Sequence, residues 1–107
     1  MTKVTIYTDQ NNECVAFNVN GHAGYAEEGE DIVCAGISIL TINTINSIEA
    51  FTEAEFTLDS DEESGMIDFK ITKSTDESTL LLEALLLGLE TMAENYSEYI
   101  DLKFREV

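Results

Sequence analysis

Residues 32–50 read IVCAGISILTINTINSIEA, and whether this run is a strand or a helix decides the fold. Ile37, Ile39, Ile42, Ile45 and Ile48 are β-branched, a type that favours the pleated surface of a sheet. The triplet I-S-I at 37–39 also alternates like a strand. Two observations favour a helix. The run has no turn signal for nearly twenty residues, too long for one strand. Ser38, Ile42, Ile45 and the pair Ile48–Glu49 recur at steps of three and four, while Thr41, Asn43 and Thr44 fall outside that stripe. Asp31, just ahead of the run, is a residue type that caps helix N-termini. The spacing predicts a helix beginning after Asp31.

On the N-terminal side, residues 3–8 (KVTIYT) place Val4, Ile6 and Thr8 on one face and Lys3, Thr5 and Tyr7 on the other, as a strand does. After the polar cluster Asp9 to Asn12, residues 13–20 (ECVAFNVN) alternate again with Val15, Phe17 and Val19 inward, which predicts a β-hairpin. Cys14 then falls on the face opposite Phe17, as a small apolar filler. Gly21 to Glu30 reads as a glycine-containing loop.

On the C-terminal side, residues 53–59 and 66–72 alternate around the acidic turn Ser60 to Gly65, with Ala54, Phe56 and Leu58 on one face and Ile67, Phe69 and Ile71 inward in the second strand. Ser74-Thr75-Asp76-Glu77 matches an S-x-x-E capping box, so a second helix should run from Thr75 to about Tyr96. Its middle, TLLLEALLLGLETM, is apolar nearly all round and needs covering on more than one side. In a small chain the second cover is a homodimer interface, with Gly88 as a point of close approach or simply a weak point. Ile100, Leu102 and Phe104 alternate against Asp101, Lys103 and Arg105 in a last strand. The expected fold is α/β of the α+β type: β-β-α-β-β-α-β, one domain over 1–107, two helices on a mainly antiparallel sheet.

Composition narrows the function. With 22 acidic and 5 basic residues the net charge is −17. That excludes the basic stripe of a nucleic-acid binder and favours a basic partner, although acidity also serves plain solubility. One histidine and two cysteines are too few for a conventional zinc or disulfide framework, so neither metal nor cofactor is expected. The run from Leu80 to Leu87 is interrupted by Glu83 and is too short to span a bilayer. The N-terminus lacks a secretory pattern, and a cytoplasmic home is expected.

Chemistry concentrates in residues 21–38, GHAGYAEEGEDIVCAGIS, which hold the only histidine, His22, and Cys34. An imidazole and a thiol are what a cysteine nucleophile needs. Gly21-His22-Ala23 followed by D-I-V-C-A-G-x-S at Asp31 to Ser38 resembles the signature of the ribosomal-processing cysteine protease family, Prp. The resemblance covers the whole chain in element order and is specific in this stretch. It implies a small α/β dimer with Cys34 as nucleophile and His22 as base. It also implies a substrate: the N-terminal extension of a basic large-subunit ribosomal protein, the twenty-seventh, cut after an aromatic residue. Gly21, Ala23, Gly24, Tyr25 and Gly29 would then belong to a substrate loop.

If Asp31 caps the helix, Cys34 sits in its first turn, where unpaired N–H groups favour a thiolate by about 0.3–1 kcal/mol and can receive an oxyanion. Ser38, four residues on, would support the thiolate or bond back to the Cys34 carbonyl. Asp31 would orient His22 or serve only as the cap. Without the resemblance, a lone Cys and a lone His are more often structural. Two other readings stay open: an acidic module that docks on a basic ribosomal protein or assembly factor, and a redox sensor in which Cys34 oxidises or pairs with Cys14.

Overall fold

The structure, a computed structural model, describes residues 1–21, 28–61 and 63–107, with side chains at all of these except 28–30. Five strands and two helices follow in the expected order: β1 (Thr2–Thr8), β2 (Cys14–Asn20), α1 (Glu28–Phe51), β3 (Glu55–Asp61), β4 (Met66–Lys73), α2 (Asp76–Asn95) and β5 (Ile100–Glu106). The sheet order is β3-β4-β2-β1-β5. Three pairings are antiparallel and β1·β5 is parallel. The sheet is therefore mixed, and the last strand closes the β1 edge within the same chain.

Alternation places one face of the sheet under the helices. Val4, Ile6, Phe17, Val19, Phe69 and Ile100 meet Val33, Ile37, Ile45 and Ile48 of α1 and Leu82, Leu85 and Leu89 of α2 in one buried cluster. The Phe69 ring stacks on Phe17 and tilts against Phe56, with centroids 4.9 and 5.0 Å away.

The helix at 28–51 confirms the reading of the deciding stretch but rotates its stripe. Thr41 and Thr44 are buried, whereas Ile39 and Ile42 are exposed. The threonines tolerate burial because each hydroxyl donates to the carbonyl one turn back, Thr41 to Ile37 and Thr44 to Leu40, both at 2.8 Å. The segment Asp31–Phe51, rather than Leu80–Leu87, is the one among the described residues long and apolar enough to cross a membrane by length and composition. Here one side of it forms part of the domain core.

Two further expectations shift. A bulge between Tyr7 and Thr8 pairs Tyr7 with Ala16 but Thr8 with Cys14, skipping Val15. That extra residue reverses the alternation, so Cys14 joins the core beside Phe17 instead of facing away from it. The α2 cap lies one residue later than the S-x-x-E pattern placed it. Thr75 is the N-cap; its hydroxyl accepts from Ser78 N–H at 3.1 Å, and Ser78 Oγ accepts from Thr75 N–H at 2.9 Å. Gly88 allows close approach within the chain: a Cβ there would stand 2.8 Å from Cδ2 of Leu40 on α1.

Candidate active site

Cys34 lies on the sheet-facing side of α1 and is half-buried. The helix begins at Glu28, so Gly29 and Asp31 are helical and Cys34 is its seventh residue. This corrects the expected geometry. Asp31 is not the cap, Gly29 is not in a loop, and Cys34 lies beyond the first turn, whose N–H groups lack intrahelical partners. The dipole effect falls off over that same turn. A different donor reaches the sulfur: Thr2, fully buried at the start of β1, donates its hydroxyl to Cys34 Sγ at 3.6 Å.

The far wall is backbone. Gly21 N–H donates to the Gly65 carbonyl at 3.1 Å. A Cβ on Gly21 would stand 3.2 Å from that oxygen and 3.7 Å from Cys34 Sγ. Gly65, in the β3–β4 turn, has φ +70°, a conformation glycine adopts without strain. The β3–β4 turn therefore holds Gly21, just past the end of β2, within reach of the sulfur on α1. His22 follows Gly21 directly in sequence. His22, Ala23, Gly24 and Tyr25 lie outside the described residues.

One turn beyond Cys34, Ser38 opens onto a cleft of about 290 Å³ between α1 and the β3–β4 hairpin. Ile42, Ile45, Leu58, Met66 and Ile67 supply its apolar walls, and Ser60, Asp61 and Gly65 line the rest. The exposed Ile42 that the helical stripe misplaced thus becomes a wall. Sequence reasoning missed Thr2, Gly65 and this cleft. Stepping the β1 alternation back from Val4 by two would have found Thr2 facing inward. Nothing local in the β3–β4 turn announces that Gly65 meets Gly21.

Cys14 has no part in this site. It pairs with Thr8, at the opposite end of β1 from Thr2, and six residues of strand span about 20 Å. A disulfide needs Cα atoms about 4.4–6.8 Å apart, so Cys14 and Cys34 do not bridge in this fold. Burial pushes the Cys14 thiol up to about 11, only partly offset by a backbone hydrogen bond with Ala16. At neutral pH it is protonated and inert. Iodoacetamide capture of Cys14 in the native protein should stay minimal near neutrality and rise about tenfold per pH unit up to about 11. Mass mapping of the label checks this; rapid labelling of Cys14 at neutral pH would contradict it. No metal-binding cluster of His, Cys, Asp and Glu occurs among the described residues.

Comparison with known proteins matches the chain and its fold to one family. A model of the family described as cysteine protease Prp covers residues 1–101. The ribosomal processing cysteine protease Prp of Bacillus subtilis is 30% identical over 103 residues, 92% of each chain. A crystal structure of an essential ribosomal processing protease Prp from Staphylococcus aureus with a substrate peptide aligns at TM-score 0.92 and 29% identity. It spans 98% of this chain and all of that one. A second structure of the Staphylococcus aureus protease, with a covalently linked product peptide, aligns at TM-score 0.87 and 30% identity over the same shares.

Proposed function

The chain belongs to the cysteine protease Prp family, and from that premise we propose that it is an endopeptidase whose nucleophile is Cys34 and whose general base is His22. The observation that carries the reading is Cys34 Sγ held by the Thr2 hydroxyl and facing Gly21, the residue before His22, one helical turn from an apolar cleft that Ser38 and Gly65 line. The covalently linked product in the Staphylococcus aureus protease supports acyl-enzyme chemistry.

Cys34 Sγ attacks the scissile carbonyl carbon as its proton passes to His22. The tetrahedral intermediate collapses, the C–N bond breaks, and His22 returns the proton to the leaving amine. Water, deprotonated by His22, then attacks the thioester and releases the second product and the thiol. Ser38 at the cleft rim and Asp31 on the exposed side of α1 are supporting residues in this scheme.

The substrate is the N-terminal extension of a large-subunit ribosomal protein, the twenty-seventh, and the work is ribosome maturation in the cytoplasm. The cleft walls of Ile42, Ile45, Leu58 and Ile67 suit an apolar or aromatic side chain beside the scissile bond. The net charge of −17 suits a basic substrate and steers its approach. The enzyme acts as a homodimer, because Leu80 and Leu87 of α2, 66% and 69% exposed, leave an apolar face for a second copy; light scattering that reports monomers at micromolar concentration rejects this element.

Incubating the enzyme with the extended and the already trimmed ribosomal protein tests the whole. The extended form should be cut once, with kcat/KM falling as salt is raised; the trimmed form should survive. Salt-sensitive binding of either form without any cut would instead support the non-enzymatic acidic module.

A further inference from the structure

We infer that the Thr2 hydroxyl is a positioning group for the Cys34 sulfur. Thr2 begins the inward row of β1, where Val4 and Ile6 follow it into the core. A pattern that calls for an apolar side chain instead has a hydroxyl with no exposure. A buried hydroxyl is costly unless it is hydrogen-bonded, and this one donates to Cys34 Sγ at 3.6 Å.

The donor is firmly held. Thr2 N–H donates to the Tyr99 carbonyl at 2.9 Å, and Thr2 lies in register with Ile100 of the parallel strand β5. Its β-branched side chain has few rotamers to choose from. A thiolate can only accept, so the bond strengthens and keeps its direction once Cys34 loses its proton. Thr2 thus does for the sulfur what the helix terminus was expected to do: it keeps Sγ facing Gly21, and it stabilises negative charge there. Local rules are broken where function requires it.

This role rests on Cys34 being the nucleophile, so the test includes a readout that needs no substrate. Iodoacetamide capture of Cys34 at neutral pH is compared in the parent, Thr2→Val and Thr2→Ser, alongside thermal melting and peptide cleavage. Valine keeps the shape, loses the donor and suits a strand, so Thr2→Val should melt no lower than the parent. Its capture rate should nevertheless fall about tenfold, as expected for losing a hydrogen bond to a charged acceptor. kcat should fall by a similar factor with KM unchanged, the mark of a contact made in the transition state. Thr2→Ser keeps the donor and should retain the parent's rates within about threefold despite its missing methyl. Unchanged capture in Thr2→Val, or capture in Thr2→Ser as slow as in Thr2→Val, would overturn the inference. Capture that follows the hydroxyl while none of the three proteins cuts peptide would leave the inference standing and reject the protease reading.

Discussion

Cys34→Ala is expected to reduce cleavage of the extended substrate by about 10⁴-fold or more, with His22→Ala close behind and the double variant hardly worse than either. The non-additivity is the informative part. A thiol that needs the imidazole to lose its proton, and an imidazole whose only catalytic task is that proton, act as one unit. Removing either removes the same transition state. Single-turnover cleavage followed by mass spectrometry measures all three variants and, in the parent, should trap a substrate fragment on Cys34. Losses that multiply in the double variant would mean two independent contributions and no dyad. Full cleavage by either single variant would remove that residue from the mechanism.

The fold was legible because its periodicities are clean. Alternation over residues 3–8 and 66–72 marks strands, and the steps of three and four from Ser38 to Ile48 mark α1 despite its isoleucines. What was misread has a local physical cause each time. The stripe on α1 was rotated because Thr41 and Thr44 count as polar in sequence but satisfy their hydroxyls on the helix's own carbonyls. Cys14 was placed on the wrong face because one bulged residue, Val15, reverses parity and leaves no composition signal.

The site was only partly legible. The sequence pattern pairs Cys34 with His22, which lies outside the described residues; its neighbour Gly21 would place a Cβ 3.7 Å from Cys34 Sγ, and the donor to the sulfur comes from residue 2, thirty-two positions away from Cys34. Such a contact depends on the parallel and antiparallel pairings around β1 and on how α1 crosses the sheet. No local pattern encodes it. The start of α1 was misplaced by four residues for a similar reason: Asp31 is a good cap in isolation, but the chain is already helical by Glu28.

The second large effect concerns the sheet that holds this site together. Phe69→Ala is expected to destabilise the protein by about 3–5 kcal/mol, the usual range for deleting a buried ring and leaving a cavity. Phe69 is fully buried at the centre of the three-ring stack, paired across β2 with Phe17 and across β3 with Leu58. Its neighbours belong to strands fixed by their own hydrogen bonds, so the cavity closes poorly. Against a total stability of about 5–15 kcal/mol the loss is a large fraction, and at about 4–8 °C per kcal/mol it lowers the melting temperature by roughly 12–40 °C. Phe69→Leu, which refills most of the volume, should cost far less. The consequence reaches the site because β4 starts next to Gly65, whose carbonyl holds Gly21 against Cys34. Below its melting point, Phe69→Ala should therefore still capture iodoacetamide at Cys34 but with a rate that falls on warming well before the parent's does. Thermal melting by circular dichroism and capture rates at stepped temperatures measure both effects. A Phe69→Ala protein that melts within about 5 °C of the parent, a shift worth only about 1 kcal/mol, would show that the stacked rings are not what keeps the Gly65 turn seated beside the nucleophile.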